Sequence, residues 1–496
     1  FNPFAIFPIS DEAINFYTEN MNATRLNFLF PGYQVLNSGA EEGQTNSGSA
    51  TEWALVSQFG RFTYNYQGKY LFEANARRDG SSRFTNERWK IFPSFSVGWR
   101  ISEESFTQNW QWLDNFKFRA SWGKLGNQNV GNNYPFMTKV NLTDQYYIFG
   151  TTPTVNVGGA VTTLPNPYLT WEYTETSNLG VDFSVLKGLF SMTAEYYIRN
   201  TSDIIDTEDV AEIVGLNGPR INAYEVQNKG FDLSLHSRKS FGDFSYDVGI
   251  NFDDVKNKVT DLYNKEQWIS GNTISVVGEP MWSYYIYETD GLMQQGETHD
   301  VSYRNHIPVP GDIKYIDQPS VDNDGDGIAD EGDGQILDED DRIISGSNIP
   351  RYNYSLDINL SYKIFDLALF FQGVGKKDIL FAGRQSFVFH NSSTNVQNWQ
   401  MDYWMPDNTN ASYPRFYFTD RYNYTPSTYW LRNGAYFRLK NIQLGINIPN
   451  DYLDRYDIQN LRFFFSGQNL FTLDNMPAGW DPETVSADNY PIVKTY

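Results

Sequence analysis

Residues 352–363 read YNYSLDINLSYK and alternate without a break. In an extended chain Tyr352, Tyr354, Leu356, Ile358, Leu360 and Tyr362 share one face, and Asn353, Ser355, Asp357, Asn359, Ser361 and Lys363 share the other. A helix would scatter both sets around its axis, so the stretch predicts a strand. It is long enough to meet the requirement of about 9–11 residues for a tilted strand crossing a bilayer. Aromatic residues at both ends with aliphatic ones between them match a lipid-facing row that runs from one membrane interface to the other.

The pattern recurs along the chain. Phe190, Met192, Ala194, Tyr196 and Ile198 alternate with Ser191, Thr193, Glu195, Tyr197 and Arg199; Phe116, Phe118, Ala120 and Trp122 alternate with Asn115, Lys117, Arg119 and Ser121. Shorter copies are Phe231, Leu233 and Leu235 against Asp232, Ser234 and His236, and Leu461, Phe463 and Phe465 against Arg462, Phe464 and Ser466. Near 435–448 the apolar phase slips, from Phe437 and Leu439 to Ile442, Leu444, Ile446 and Ile448, which predicts a β-bulge. Charged residues on the second face require water, so that face is expected to line a wet lumen. A soluble β-sandwich with its polar face outward would produce the same alternation; strand length and the aromatic ends favour the barrel.

Composition points the same way. Aromatic residues make up 17% of the 496, with 34 Tyr, 36 Phe and 13 Trp, yet hydrophobic residues reach only 40%. The most apolar stretch, 364–374, is interrupted by Asp366 and Gln372, far short of the roughly 20 apolar residues of a membrane helix. A closed barrel is the other way to satisfy every backbone group in lipid, and its interfacial girdles account for the aromatic excess. Without cysteine there are no disulfides, thiolate nucleophiles or cysteine-ligated metals. Net charge is −22, which argues against nucleic acid, since phosphate binding needs Lys and Arg clusters. The start, Phe1-Asn2-Pro3-Phe4, lacks the basic and apolar regions of a signal peptide, which for a secreted protein implies processing or truncation.

About 16 candidate strands can be counted. Short connections (65–68, 187–188, 241–243) alternate with long ones (124–165, 200–222, 262–349, 376–433), the asymmetry expected of an outer-membrane barrel. Several segments then resemble, in order, the SusC/RagA family of TonB-dependent transporters of Bacteroidota. They run from Phe59-Gly60-Arg61 and Arg77-Arg78-Asp79-Gly80-Ser81-Ser82-Arg83-Phe84 through Gly98-Trp99-Arg100-Ile101-Ser102-Glu103-Glu104 and Gly123-Lys124-Leu125-Gly126-Asn127-Gln128. Asn166-Pro167 with Leu169-Thr170-Trp171-Glu172, Glu225 to Gly230, Tyr403-Trp404, Leu431 to Asn441 and Gly467-Gln468-Asn469-Leu470 continue the series. The resemblance covers about residues 55–496.

It implies an all-β fold, a large antiparallel transmembrane β-barrel of 22 strands, about 16 of them here, with long extracellular loops. Residues 1–496 would be part of that barrel domain, without the plug and N-terminal extension and with the last strand cut short at 490–496. It further implies location in the outer membrane, a SusD-like surface lipoprotein as lid, coupling to the TonB complex through the missing N-terminal region, and import of oligosaccharides or oligopeptides. Nothing in the residues separates glycan from peptide.

The most chemically pointed segment is 322–333, DNDGDGIADEGD, within the acidic loop 311–345. Eleven Asp or Glu and no Lys or Arg lie between 317 and 341. Carboxylates of Asp322, Asp324, Asp326, Asp330 and Asp333, with the Ile328 carbonyl and a glycine at the sixth position, form an oxygen-only set suited to a structural Ca²⁺. The last position is Asp in place of the Glu of an EF-hand, and no helices flank it. The plain alternative is a solvated acidic loop. Five like charges in one turn repel unless neutralised, which favours the cation.

No enzyme motif is present. The four histidines form no i, i+4 metal pair, and no nucleophile elbow, phosphate loop or dinucleotide motif occurs. Tyr403, Trp404, Tyr429 and Trp430 are candidates for stacking on sugars or touching peptides, with girdle or partner contact as the bland reading. The rival from another class is a surface glycan-binding β-protein, an adhesin with Ca²⁺-ordered loops. A passive porin would need no plug, and the large loops weigh against it.

Overall fold

The computed structural model describes residues 5–6, 10–24, 45–141, 146–149, 154–483 and 493–495, apart from 264, 305, 325–326, 338–339, 390–394 and 419–420. The chain is mostly strand. Among the described residues there is one α-helix, Asn450–Leu453, and no helix is long and apolar enough to cross a membrane.

Fourteen strands build the principal sheet: β1 (Ala5–Ile6), β2 (Ser10–Thr24), β3 (Thr45–Tyr66), β4 (Tyr70–Ser81), β5 (Trp89–Arg100), β6 (Leu113–Asn127), β7 (Glu172–Val185), β8 (Phe190–Thr207), β9 (Arg220–Phe241), β10 (Phe244–Asp261), β11 (Arg351–Tyr362), β12 (Phe365–Lys376), β13 (Tyr436–Asn447) and β14 (Arg462–Asp474). From β3 onward neighbours pair in chain order; β1 and β2 both pair with β3. Among the described residues the sheet has fourteen strands, where the sequence suggested about 16; the other, shorter strands lie in the connections. Residues 10–24, which carried no family signal, form a strand in register with 45–59.

The expected turns are tight for a local reason. Gln67 and Gly68 take φ of 54° and 70°, and Lys69 N–H closes the turn on the Tyr66 carbonyl at 3.0 Å. Positive φ at both central positions is the turn whose twist fits a hairpin. β3 and β9 reach 22 residues each, about twice a membrane crossing, so they extend beyond the apolar band.

On β5, Ile91, Phe95, Val97 and Trp99 are exposed while Phe92, Ser94 and Ser96 between them are not. A row of large apolar side chains turned outward, with polar residues on the opposite face, inverts a water-soluble protein and suits lipid. The expected bulge is present. Phe371 pairs with Leu439 and Phe370 with Asn441, leaving Lys440 as the extra residue. The ladder from β13 to β14 shifts at the same place, where Asn469 takes φ 55°.

The chain forms two compact units, 1–99 with 119–178 and 199–225, and 100–118 with 179–198 and 226–496. The first has a small core of Phe84, Phe92, Val130, Leu169 and Trp171. Here the distant signature segments meet: Phe84 and Phe92 lie 5.1 and 5.5 Å from the Trp171 ring, and Thr85 Oγ donates to the Pro167 carbonyl at 2.7 Å. The second unit holds a larger aromatic core, built mainly by the connections 262–350 and 377–435: Tyr287, Ile313, Tyr315, Phe381, Tyr413, Tyr422 and Trp430 are buried together.

Candidate functional site

The acidic loop is closed by a bridge between Val321 and Glu331, in which Val321 N–H donates to the Glu331 carbonyl at 2.9 Å and Asp330 N–H to the Val321 carbonyl at 2.8 Å. Closing the base turns the intervening carboxylates toward each other. Oxygens of Asp322, Asp324 and Asp330 lie within 4.8 Å of one another, all three residues exposed. Oxygens on opposite sides of a Ca²⁺ with bonds of about 2.3–2.6 Å would be separated by about 5 Å, so the spacing fits that ion. Asp322 also accepts Gly327 N–H at 2.8 Å, and Asp330 accepts Asn323 N–H at 3.1 Å. Gly327 sits at φ 89°, where a side chain would strain the turn.

Three of the six expected ligands are therefore brought together. Asp326 lies outside the described residues. The Ile328 side chain is exposed, at 68%. Asp333 stands apart from the cluster and accepts Gln335 N–H at 2.8 Å, an ordinary turn contact.

Behind the loop two more acids do structural work that the sequence did not distinguish. Asp341 is buried and accepts N–H from Gln318 at 2.7 Å and Leu337 at 2.6 Å. Burial, with Asp317 close by, holds its carboxyl above the usual value. Asp317 accepts Gly334 N–H at 2.7 Å.

The loop aromatics have a role the sequence reading did not name. Trp404 and Trp430 are buried, Tyr403 stacks on Phe416 at 4.1 Å, and Tyr429 donates to the Ser412 carbonyl at 2.8 Å. They are mainly core residues of a packed loop body. Its centre contains a fully buried carboxylate, Asp312, which receives hydrogen bonds from Val309 N–H, the Tyr417 hydroxyl and the Asn423 amide, with His306 Nε2 at 3.1 Å. A fully met set of donors is what allows a charge inside an aromatic core. No sequence spacing announces it, since the partners lie 3 to 111 residues away.

Outward apolar rows, tight hairpin turns and long packed connections are the features of a membrane β-protein of the outer-membrane type. Residues 11–470 match the family model for the TonB dependent receptor-like β-barrel, and the chain belongs to that family. The match begins well before the first motif recognised in the sequence. The chain is 31% identical over 469 residues to TonB-dependent receptor P3 of Formosa agariphila, covering 91% of this chain and 44% of that protein. It is 28% identical over 474 residues to the TonB-dependent receptor SusC of Bacteroides thetaiotaomicron, covering 90% and 43%. Among solved structures it resembles the RagAB peptide transporter, with a TM-score of 0.78 at 22% identity over 98% of this chain and 51% of that one, a likeness of fold.

The family's members are outer-membrane transport proteins and not enzymes, and the likeness to SusC places the chain among its SusC-like members. The chain spans about half the length of the curated relatives it matches.

Proposed function

We propose that the full-length protein is an active importer of oligomeric nutrients, oligosaccharides or oligopeptides, across the outer membrane. In this reading the strands form the channel wall, a SusD-like lipoprotein closes over the loop body, and TonB moves a plug. The observation that carries it is the pairing of an outward apolar face with a family match over residues 11–470. Deleting the gene in the source bacterium should abolish energised uptake of one class of labelled oligomer, and dissipating the proton gradient should reproduce the loss. Unchanged uptake of both oligosaccharides and oligopeptides would overturn the reading and favour the adhesin.

The acidic loop adds a structural proposal. Asp322, Asp324 and Asp330 hold one Ca²⁺, with Asp326 and the Ile328 carbonyl as further ligands and Asp333 outside the set; the support is the convergence of three carboxylates on a space of the right size. The ion would neutralise the turn and fix the loop. Proteolysis of the purified full-length protein between 317 and 341 should be slow in Ca²⁺ and at least several-fold faster in chelator. Asp324→Asn should be fast in both, and cleavage insensitive to Ca²⁺ in the unaltered protein would remove the site.

A further inference from the structure

In the second unit a cavity of about 680 Å³ opens between the loop body and the segment that follows β14. Its walls are fixed. The Trp399 ring is held by its Nε1–H on Gln397 Oε1 at 2.9 Å and packs edge-on against Phe381 at 5.8 Å, and Tyr429 is held by its hydroxyl on Ser412. The opposite wall, at Asn475, is pinned from further along the chain: Arg438 Nη2 and Nη1 donate to Asp481 at 2.7 Å and Glu483 at 2.8 Å, and Lys440 donates to Glu483 at 2.7 Å.

Within this frame several polar groups are left over. Arg432 donates through Nη1 to the Tyr429 carbonyl at 2.6 Å and weakly to that of Leu431, its guanidinium lies 5.8 and 5.9 Å from the Phe381 and Trp430 rings, and it forms no ion pair among the described residues. Among the described residues no carboxylate lines the cavity, although the chain carries 60 acidic residues. Asp402, close to Ser412 on the rim, is occupied by the Asn408 amide and Ser412 N–H. The amides of Asn410 and Asn475 line the space and make no side-chain hydrogen bond among the described residues. Burial holds the Arg432 guanidinium below its ordinary value, as expected for a desolvated cation lacking a counter-charge.

A cation without an acidic partner among the described residues, two amides able both to donate and to accept, and a locked flat ring together describe a receptor for a hydroxylated ring bearing a negative charge. We propose that this cavity binds an anionic oligosaccharide, its carboxylate or sulfate ester on the free N–H groups of Arg432 and a sugar ring against Trp399. A planar guanidinium takes either anion through two parallel hydrogen bonds. A sugar stacks its C–H face on an aromatic ring while its hydroxyls engage side-chain amides. The inference rests on the importer reading and assigns it a substrate class.

The test is titration of the purified full-length protein in detergent with four hexamers: an oligogalacturonate, a sulfated hexasaccharide, maltohexaose and hexaglutamate. At least one anionic sugar should bind about tenfold or more tightly than maltohexaose and than hexaglutamate, the tighter of the two identifying the anion. Arg432→Gln should remove that preference. Asn410→Asp, at an exposed position where folding is not at stake, should weaken the anionic sugar about tenfold more than it weakens maltohexaose, because the new carboxylate repels only the charged ligand. Binding of neither anionic sugar, preference for the peptide, or indifference to Asn410→Asp would overturn the inference. Energised uptake persisting in those cases would leave the importer reading intact, so the two failures are distinguishable.

Discussion

Asp402 links a single carboxylate to the order of a whole loop. Its two oxygens accept the Asn408 amide at 3.0 Å and Ser412 N–H at 3.0 Å, tying the two ends of the 402–412 turn. The Asn408 contact first, then those from Ser412, hold its carboxyl below the ordinary 3.8. A depressed carboxyl contributes stability above the unfolded value and loses it as pH falls through the folded one. Hydrogen exchange in a peptide spanning 402–413, corrected for intrinsic rates, should therefore stay slow above pH 3.8 and accelerate only in more acid solution. Asp402→Asn should abolish that step. At this scale the sequence was only partly readable. Asp322, Asp324 and Asp330 converge as their spacing implied, since a short loop leaves few ways to arrange them. The contacts of Asp402 and Asp312, and the polar groups left over beside Arg432, arise from packing between distant segments and have no local signature.

Strands were the most legible elements, because alternation reports directly which face meets lipid. Phe95 lies near the middle of β5, exposed on the apolar face and stacked on Trp122 at 6.0 Å. Phe95→Arg should destabilise the full-length protein by about 2–4 kcal/mol in urea titrations in a bilayer, while Ser96→Arg, one residue away on the polar face, should cost less than about 1 kcal/mol. Equal costs would mean that the faces are misassigned. The bulge at Lys440 was legible for the same reason, as one residue of phase slip in an apolar row. Its counterpart on β14 was not: Asn469 absorbs the shift by a left-handed φ of 55°, and alternation carries no record of backbone conformation. The slips leave Leu439 opposite Phe471 and Ile442 opposite Gly467.

For the molecule as a whole, the reading as a membrane barrel makes a bulk prediction. Full-length protein extracted from outer membranes in detergent should migrate faster on a gel unheated than boiled, because a closed barrel resists detergent unfolding until heated. A water-soluble protein with no mobility shift would contradict it. Class and family were legible from ordered motifs, two of which meet in one core, where Phe84 and Trp171 are neighbours. The strand at 10–24 was missed since its residues alternate weakly.

The aromatic core of the loop body and the apolar rows of the strands need opposite solvents. The rows become favourable only against hydrocarbon. Tyr315, Tyr413 and Trp430 are driven together by water, on whichever side of the bilayer their segments are wet. One chain therefore carries two kinds of apolar surface that must be kept apart, and the long connections 262–350 and 377–435 keep them apart by holding the water-driven core outside the strands.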